Sequence, residues 1–315
     1  GNGNLAVGKK DSYGDWVGGA ELRVTGPNGF DQTVITKAGE PTVFEGVSRG
    51  EYKIKEISAP TNMILNSEEK TAIVNAGQTT TEAIVNNYQR GSLTITKYDL
   101  DNKGNTLGDA TIEGATFSLY AAQDIYEGSH QIYAANQEIK SGIVTAADGT
   151  TEAVKNLPIG KYYYVETKAS EGFNLNTAKV PVEIVYAGQK ATEAVLGTCE
   201  MPEKPIYGNL KITKKLGATD YDPEILLSGV QFEISLVSDP TQKYLSNVSG
   251  NDGICEIKDI PYGKYICKEV KLNDMGYAID DFEVNITDNG KTYDYTKVDL
   301  PKEMKISLEK VLLDE

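Results

Sequence analysis

The chain has 315 residues, of which 39% are hydrophobic, and its formal net charge is −15. Phosphate binding requires clustered Lys and Arg, so this charge argues against a nucleic-acid partner. Three cysteines and one histidine are too few for a small disulfide framework, for most zinc sites or for a nucleophile–histidine pair. Together with the lack of a long apolar run, the composition predicts no metal, no cofactor and no membrane contact.

The first predicted strand, "NLAVGKKD", alternates in polarity and would turn Leu5, Val7 and Lys9 to one face. A lysine therefore stands at the end of an apolar stripe. The same arrangement returns in "SLTITKYD" and "NLKITKKL", and each copy is followed by turn-forming residues and a second alternating strand. The internal repeat places three lysines in equivalent positions, Lys9, Lys97 and Lys214.

A second repeated strand carries a glutamate. In "GKYYYVETKASEGF", side chains alternate between faces, so Tyr162, Tyr164 and Glu166 share one face. "GEYKIKEISAP" and "GKYICKEVKL" repeat the pattern of two large or apolar side chains followed by a glutamate. Because that face is predicted to lie in the core, the sequence predicts three buried carboxyl groups, those of Glu56, Glu166 and Glu269.

A third pattern supplies a side-chain carbonyl late in the outer repeats. Asn86 follows Glu56 by 30 residues, with Asn87 next to it as an alternative, and Asp299 follows Glu269 by the same number. The outer repeats are therefore predicted to hold complete Lys–Glu–Asn/Asp sets.

The middle repeat departs from this spacing. At the matching position it has Leu196, with Gly197 beside it, and neither carries a carboxamide or a carboxylate. Lys97 and Glu166 are therefore predicted to lack an acceptor, and the middle repeat is predicted to be the mechanically and thermally weak part of the chain.

Burial favours the neutral forms of both lysine and glutamate. A neutral lysine is a nucleophile, and a protonated glutamic acid can donate to a carbonyl oxygen and then shuttle protons. Beside an Asn or Asp side chain the pair can form an amide, with ammonia or water leaving, and rigid strands supply the effective concentration. The alternative for each pair is an ordinary buried salt bridge, which contributes little to stability.

The motifs "LPIGKYYYVETKASEGFNL" and "GSLTITKYDLDNKGNTLGDATIEGATFSLY" resemble those of Cna protein B-type, or SpaA-like, domains of Gram-positive pilins and surface adhesins. The first is similar to the family's E-box, and the resemblance covers nearly the whole chain. In that family a lysine, the E-box glutamate and a late Asn or Asp form an autocatalytic intramolecular isopeptide bond. The resemblance implies that Glu56, Glu166 and Glu269 are catalytic and that the bonds join Lys9 to Asn86 and Lys214 to Asp299.

The resemblance implies an all-β fold of three tandem immunoglobulin-like or prealbumin-like β-sandwiches. We expect domains at 1–90, 91–206 and 207–302, each with about seven short strands, followed by a tail or the start of a further repeat at 303–315. The extra length of the middle domain falls in "AAQDIYEGSHQIYAANQEIKSG", predicted to be a surface insertion with His130 as an exposed loop residue.

Two functions fit this architecture. The first is a structural subunit or stalk of a bacterial surface protein or pilus, stiffened by isopeptide bonds and joined to neighbouring subunits by a sortase. The alternative is an adhesin that binds a host or neighbouring-cell ligand through surface loops, with the Tyr-containing insertion as the candidate surface. Both imply an extracellular protein, in a pilus or anchored to the cell wall, and neither implies an enzyme that acts on an outside substrate.

The cysteines leave one question open at this stage. Cys255 and Cys267 both fall on predicted inward faces, joined by a short connection. A disulfide between them and two buried thiols are both compatible with the sequence.

Overall fold

The computed structural model describes residues 1–217 and 225–300. Over these residues 24 strands form three tandem β-sandwiches, and a single 3-10 turn, Pro27–Gly29, is the one helical element. The predicted all-β fold is confirmed. The predicted start of a further repeat, which includes Lys310, lies outside the described residues.

The first sandwich contains seven strands: β1 (Asn2–Asp11), β2 (Glu21–Gly26), β3 (Phe30–Ile35), β4 (Thr42–Ser48), β5 (Gly50–Ser58), β6 (Lys70–Val74) and β7 (Thr79–Asn86). They form one sheet in the order β4-β1-β7 and a second in the order β3-β2-β5-β6. The core lies between the two sheets, where the apolar stripe of β1 meets that of β5.

The second sandwich contains nine strands: β8 (Arg90–Asp99), β9 (Thr116–Ala121), β10 (Ile125–Glu127), β11 (His130–Tyr133), β12 (Glu138–Val144), β13 (Val154–Pro158), β14 (Gly160–Lys168), β15 (Val180–Ile184) and β16 (Gly197–Glu203). Sheets β13-β8-β16 and β12-β9-β14-β15 face each other, and β10 and β11 form a separate hairpin within the insertion.

The third sandwich contains eight strands: β17 (Tyr207–Leu216), β18 (Ile225–Leu226), β19 (Gln231–Leu236), β20 (Lys243–Leu245), β21 (Ile254–Pro261), β22 (Gly263–Lys271), β23 (Phe282–Ile286) and β24 (Thr292–Asp299). One sheet has the order β18-β17-β21, with β24 also paired to β17, and the other has the order β20-β19-β22-β23.

In each sandwich the first strand pairs in parallel with the last, as β1 with β7, β8 with β16 and β17 with β24. The other strand pairs of the described sheets are antiparallel. The lysine strand comes first in each domain, so the parallel register decides which late residue lies beside the lysine.

The tyrosine-rich strand β14 lies in the core as its alternation predicts. Tyr162, Tyr164 and Glu166 are buried on the face that looks into the sandwich. Tyr163 points to the other face, where it stacks on Tyr120 with ring centroids 5.2 Å apart. The glutamate therefore continues a stripe of buried tyrosines.

The first two sandwiches meet at a hydrogen-bonded joint around Gln89, which is fully buried. Its Nε2 donates to the carbonyl oxygens of Gly188 at 2.9 Å and Ala191 at 2.8 Å, and its Oε1 accepts from the Ala187 amide at 2.7 Å. One side chain thus satisfies three backbone groups of the segment between β15 and β16.

The insertion adds a second set of contacts to this joint. The ring of His130, on β11, stacks on Tyr13 of the first sandwich at 4.1 Å, and its Nε2 lies 2.8 Å from Oδ2 of Asp15. Glu127 pairs with Arg90 at 2.5 Å and accepts from the Tyr13 hydroxyl at 2.8 Å. The prediction of a loop is wrong for His130, which lies on strand β11, but its side chain is 41% exposed, as predicted.

The three cysteines are free thiols, and Cys255 and Cys267 are both buried. Burial raises the pKa of Cys267 to about 12 and raises that of Cys255 as well. Of the two alternatives left by the sequence, the structure shows the buried thiols.

Candidate functional site

Lys9 lies at the end of the apolar stripe of β1, and its side chain is fully buried. The ammonium group forms an ion pair with Oε2 of Glu56, which lies on β5 in the facing sheet. Asn86, the last residue of β7, donates from Nδ2 to Oε1 of Glu56 at 2.7 Å. Glu56 therefore uses its two oxygens to hold the lysine and the carboxamide together.

The parallel register explains why these residues meet. Lys9 lies opposite Ile84, so Asn86 lies two positions further along β7 and faces the same side of the sheet. Asn87, the alternative acceptor, points the other way and is exposed. The structure thus brings Asn86, and not Asn87, into the site.

Burial sets the electrostatics of this first site. Loss of solvent lowers the pKa of Lys9, although the hydrogen bond and the charge of Glu56 act in the opposite direction. Oδ1 of Asn86 is buried without a hydrogen-bond partner. A half-turn of the carboxamide would exchange Nδ2 and Oδ1, and a protonated Glu56 would then donate to that oxygen.

The third sandwich repeats the arrangement with a carboxylic acid. Lys214, fully buried on β17, forms ion pairs with both Glu269 of β22 and Asp299 of β24. Lys214 lies opposite Lys297, so Asp299 is again two positions further along the last strand. Burial raises the pKa of Glu269, an effect that Lys214 opposes and that the charge of Asp299 reinforces.

A glycine is required beside the third site. A Cβ atom at Gly276 would lie 2.7 Å from both Cβ and Oδ2 of Asp299, closer than carbon and oxygen can approach. Any side chain at position 276 would displace the carboxyl group that contacts Lys214. The predicted members of the site therefore contact one another, and Gly276 leaves space for the side chain of Asp299. These members are Lys214, Glu269 and Asp299.

The middle site is assembled differently. Lys97 is fully buried on β8, but its ammonium donates to the hydroxyl of Ser170 and lies 3.9 Å from the ring centroid of Phe173. Burial lowers its pKa, against the attraction of nearby carboxyl groups. Glu166 is buried on β14, where Oε1 accepts from the Asn176 amide at 3.2 Å.

The position opposite Lys97 is not the one expected from the sequence. Gly197 lies opposite Leu93, and Leu196 is exposed just before β16, so neither reaches the site. Lys97 lies opposite Met201, and two positions further along β16 is Glu203, which is fully buried. The prediction that Leu196 or Gly197 holds the acceptor position is therefore wrong, and a glutamate lies there instead.

Two features explain why the 30-residue spacing from Glu166 led to the wrong acceptor position. The segment "TEAV" at 192–195 resembles "TEAI" of β7, but in the middle sandwich it precedes the last strand. An irregularity also intervenes, since Arg90 pairs with Glu193 whereas Leu93 pairs with Gly197, which inserts one residue into the later strand. Glu203 is identified from the hydrogen-bonded register of β8 and β16. The one signal in the sequence is that it stands at the end of the segment "GTCEMPE".

A family model for the SpaA prealbumin-like fold domain matches the chain three times, over residues 3–89, 91–196 and 208–300. The chain therefore belongs to the SpaA prealbumin-like domain family. The second match ends at residue 196, before β16 begins. No protein among the curated ones compared matches the sequence.

Among solved structures, the chain is similar to the Bacillus anthracis TIE protein, with 25% sequence identity and a TM-score of 0.73. The match covers 95% of this chain and 50% of that one, so the chain spans about half the length of this relative.

Two pilus proteins match at lower similarity. One is BcpA, the major pilin subunit of Bacillus cereus, with 14% identity, a TM-score of 0.42 and coverage of 96% of this chain and 100% of that one. The other is the pilus adhesin SpaC from Lactobacillus rhamnosus GG, with 14% identity, a TM-score of 0.38 and coverage of 95% and 43%. These superpositions are too loose to support an argument about function.

Within residues 1–217 and 225–300, no helix is long and apolar enough to span a membrane.

Proposed function

We propose that the chain is part of a structural subunit or stalk of a Gram-positive surface protein or pilus, stiffened by autocatalytic isopeptide bonds from Lys9 to Asn86 and from Lys214 to Asp299. The observation that carries the proposal is the contact among a buried lysine, a buried glutamate and a buried acceptor in both outer sandwiches. Glu56 and Glu269 act as the catalytic proton shuttles.

The reaction balances with the residues at hand. In the first site, the proton of Lys9 passes to Glu56, and the neutral Nζ attacks Cγ of Asn86 while protonated Glu56 hydrogen-bonds to Oδ1. Glu56 then delivers its proton to Nδ2 and takes up one of the two protons left on Nζ, the Cγ–Nδ2 bond breaks, and ammonia leaves. In the third site Asp299 reacts in the same way and water leaves.

The topology explains what such a bond does for a stalk. Tension that enters at the start of β1 leaves at the end of β7, because the next domain follows directly. A covalent link from Lys9 to Asn86 carries that tension past residues 10–85. The force then acts on a covalent bond instead of on the hydrogen bonds of the sheets.

The stalk proposal also includes domain boundaries, a location and partners for the chain. We place the domain boundaries at 1–90, 91–206 and 207–302, the protein outside the cell in a pilus or on the cell wall, and its partners among neighbouring subunits joined by a sortase. Each site reacts once and internally, so the proposal assigns no turnover of an outside substrate.

Peptide mapping of the purified chain tests the two bonds. Trypsin cannot cleave after a linked lysine, so we expect branched peptides that join 1–10 to 71–90 and 212–215 to 298–302. Lys9→Arg should abolish the first branched peptide, and Lys10→Arg, at the next position on the same strand, should leave it. Linear peptides cut after Lys9 and after Lys214 would contradict the proposal.

A further inference from the structure

Glu203 occupies, in the middle sandwich, the position of the acceptors in the outer two. In all three parallel pairs the acceptor position lies two residues beyond the partner of the lysine, and it is held by Asn86, Glu203 and Asp299. These side chains are at most 2% exposed. Position and burial therefore match although the residue type differs.

Among the described residues, no hydrogen bond reaches the carboxyl group of Glu203. Both of its side-chain oxygens, and Oε2 of Glu166, are buried without a hydrogen-bond partner. Burial, together with the neighbouring carboxyl group of Glu166, raises the pKa of Glu203 to about 9. A protonated Glu203 can donate to Glu166, whereas two carboxylates could not bond to each other.

This pairing repeats the first site, where the acceptor side chain also contacts the catalytic glutamate. Asn86 donates to Glu56 there, and Glu203 would donate to Glu166 here when it is protonated. The lysine is the part that differs, since Lys97 donates to Ser170 whereas Lys9 and Lys214 pair directly with their glutamates.

We propose that Glu203 is the acceptor of a third cross-link, an amide between Nζ of Lys97 and Cδ of Glu203, formed with Glu166 as proton shuttle. This inference rests on the proposed function, because it extends the same chemistry to a glutamate acceptor. The neutral amine, having left Ser170, attacks Cδ. Glu166 takes a proton from the amine and returns one to the leaving hydroxyl, the C–O bond breaks, and one water is released.

The state of the reacting groups favours this direction. Burial lowers the pKa of Lys97 and raises that of Glu203, so it favours the uncharged amine and the uncharged acid, which are the forms that condense. Condensation also removes two ionisable groups from the site. A buried charge without enough partners is the most costly arrangement in free energy, so their removal is favourable.

Peptide mapping decides the proposal on the unaltered protein. We expect a branched tryptic peptide that joins 91–103, uncut after Lys97, to 191–211, since Lys204 precedes a proline and resists trypsin. Glu203→Ala should abolish it, whereas Glu200→Ala, at an exposed position of the same strand, should leave it. Ser170→Ala should also retain the bond, because the hydroxyl holds the lysine only before reaction.

The outcomes separate the two proposals. Linear peptides 91–97 and 191–211 in the unaltered chain, beside intact branched peptides from the outer sandwiches, would overturn the third cross-link alone. If the outer branched peptides are missing as well, the proposed function fails with it. Because the unaltered chain gives the answer, a variant that does not fold leaves the test intact.

Discussion

A lysine ammonium buried in a β-sandwich is unfavourable unless a partner replaces the lost solvent. Lys9 and Lys214 each meet this condition through one glutamate, which reaches across from the facing sheet. The glutamate is therefore both the compensating charge and the nearest proton acceptor. Substitution of the glutamate should therefore abolish both roles while the sandwich remains folded.

Glu56→Ala should leave the first sandwich folded but without its bond, because Lys9 loses its proton shuttle while the strands remain paired. The intact mass should be higher than that of the unaltered chain by one ammonia, after correction for the substitution. Glu51→Ala, an exposed position on the same strand, serves as the control and should retain the bond. Loss of ammonia at the normal rate in Glu56→Ala would show that Glu56 is not the shuttle.

Lys97→Met should make the middle sandwich sensitive to pH, because it leaves Glu203 buried and unable to react. The pKa of Glu203 is raised to about 9, and Lys97 is the one contributor that lowers it. Between about pH 4 and 9 the folded chain thus holds a proton that the unfolded chain has released. The free energy of unfolding should fall with rising pH, by at most about 1.4 kcal/mol per pH unit.

The control for this pH dependence is Lys97→Met combined with Glu203→Gln, which removes the titrating group. Urea unfolding of both proteins across this range gives the difference between them. Parallel pH profiles for the two variants would contradict a protonated Glu203 in the folded state.

At the scale of the strands, the parallel pairing of first and last strands would give the proposed bonds their effect. A bond from Lys9 to Asn86 closes a loop that contains almost the whole first domain, and restricting the unfolded chain in this way is the main source of stabilisation by a covalent link. The same holds for β8 with β16 and β17 with β24.

Asn86→Ala should lower the free energy of unfolding of the first sandwich by an amount on the order of 4 kcal/mol, the value typical of a link that closes a long loop. Hydrogen exchange of peptides from β1 and β7 in the full chain measures this locally. Asn87→Ala, the exposed neighbour, should change the same value by less than about 0.5 kcal/mol. Equal protection in the two variants would show that the first site carries no bond.

The strands also show how much of the fold and of the candidate sites could be predicted from the sequence. Alternation was enough to predict the lysine and glutamate strands, because a period of two assigns each side chain to a face. The 30-residue spacing from the glutamates pointed to Asn86 and Asp299, which contact Glu56 and Lys214 in the structure. The same spacing missed Glu203, because the longer connection between β15 and β16 moves the last strand of the middle domain further along the sequence.

The extra residues of the middle domain have a role that only the assembled molecule reveals. The segment between β15 and β16 is long because it reaches the first sandwich and binds Gln89, and the insertion adds Glu127 and His130 to the same joint. The second joint is also hydrogen-bonded, with the Asp109 amide donating to the Tyr262 carbonyl at 2.8 Å. We expect these contacts to limit bending between neighbouring sandwiches.

Gln89→Ala should loosen the first joint without affecting the cross-links, because it leaves three partly buried backbone groups without this partner, each at a cost of at most about 1–3 kcal/mol. Small-angle X-ray scattering should show a broader distribution of molecular dimensions, while the branched peptides remain. Gln131→Ala, an exposed residue of the insertion, is the matched control. Identical scattering from the two variants would mean that Gln89 does not hold the joint.

The central claim is that the chain links its own strands covalently, and the intact mass of the purified protein under reducing conditions tests it most directly. The two outer bonds predict a mass below that of the sequence by one ammonia and one water. The bond at Glu203 predicts a further water. A measured mass equal to that of the unmodified sequence would contradict the account at every site.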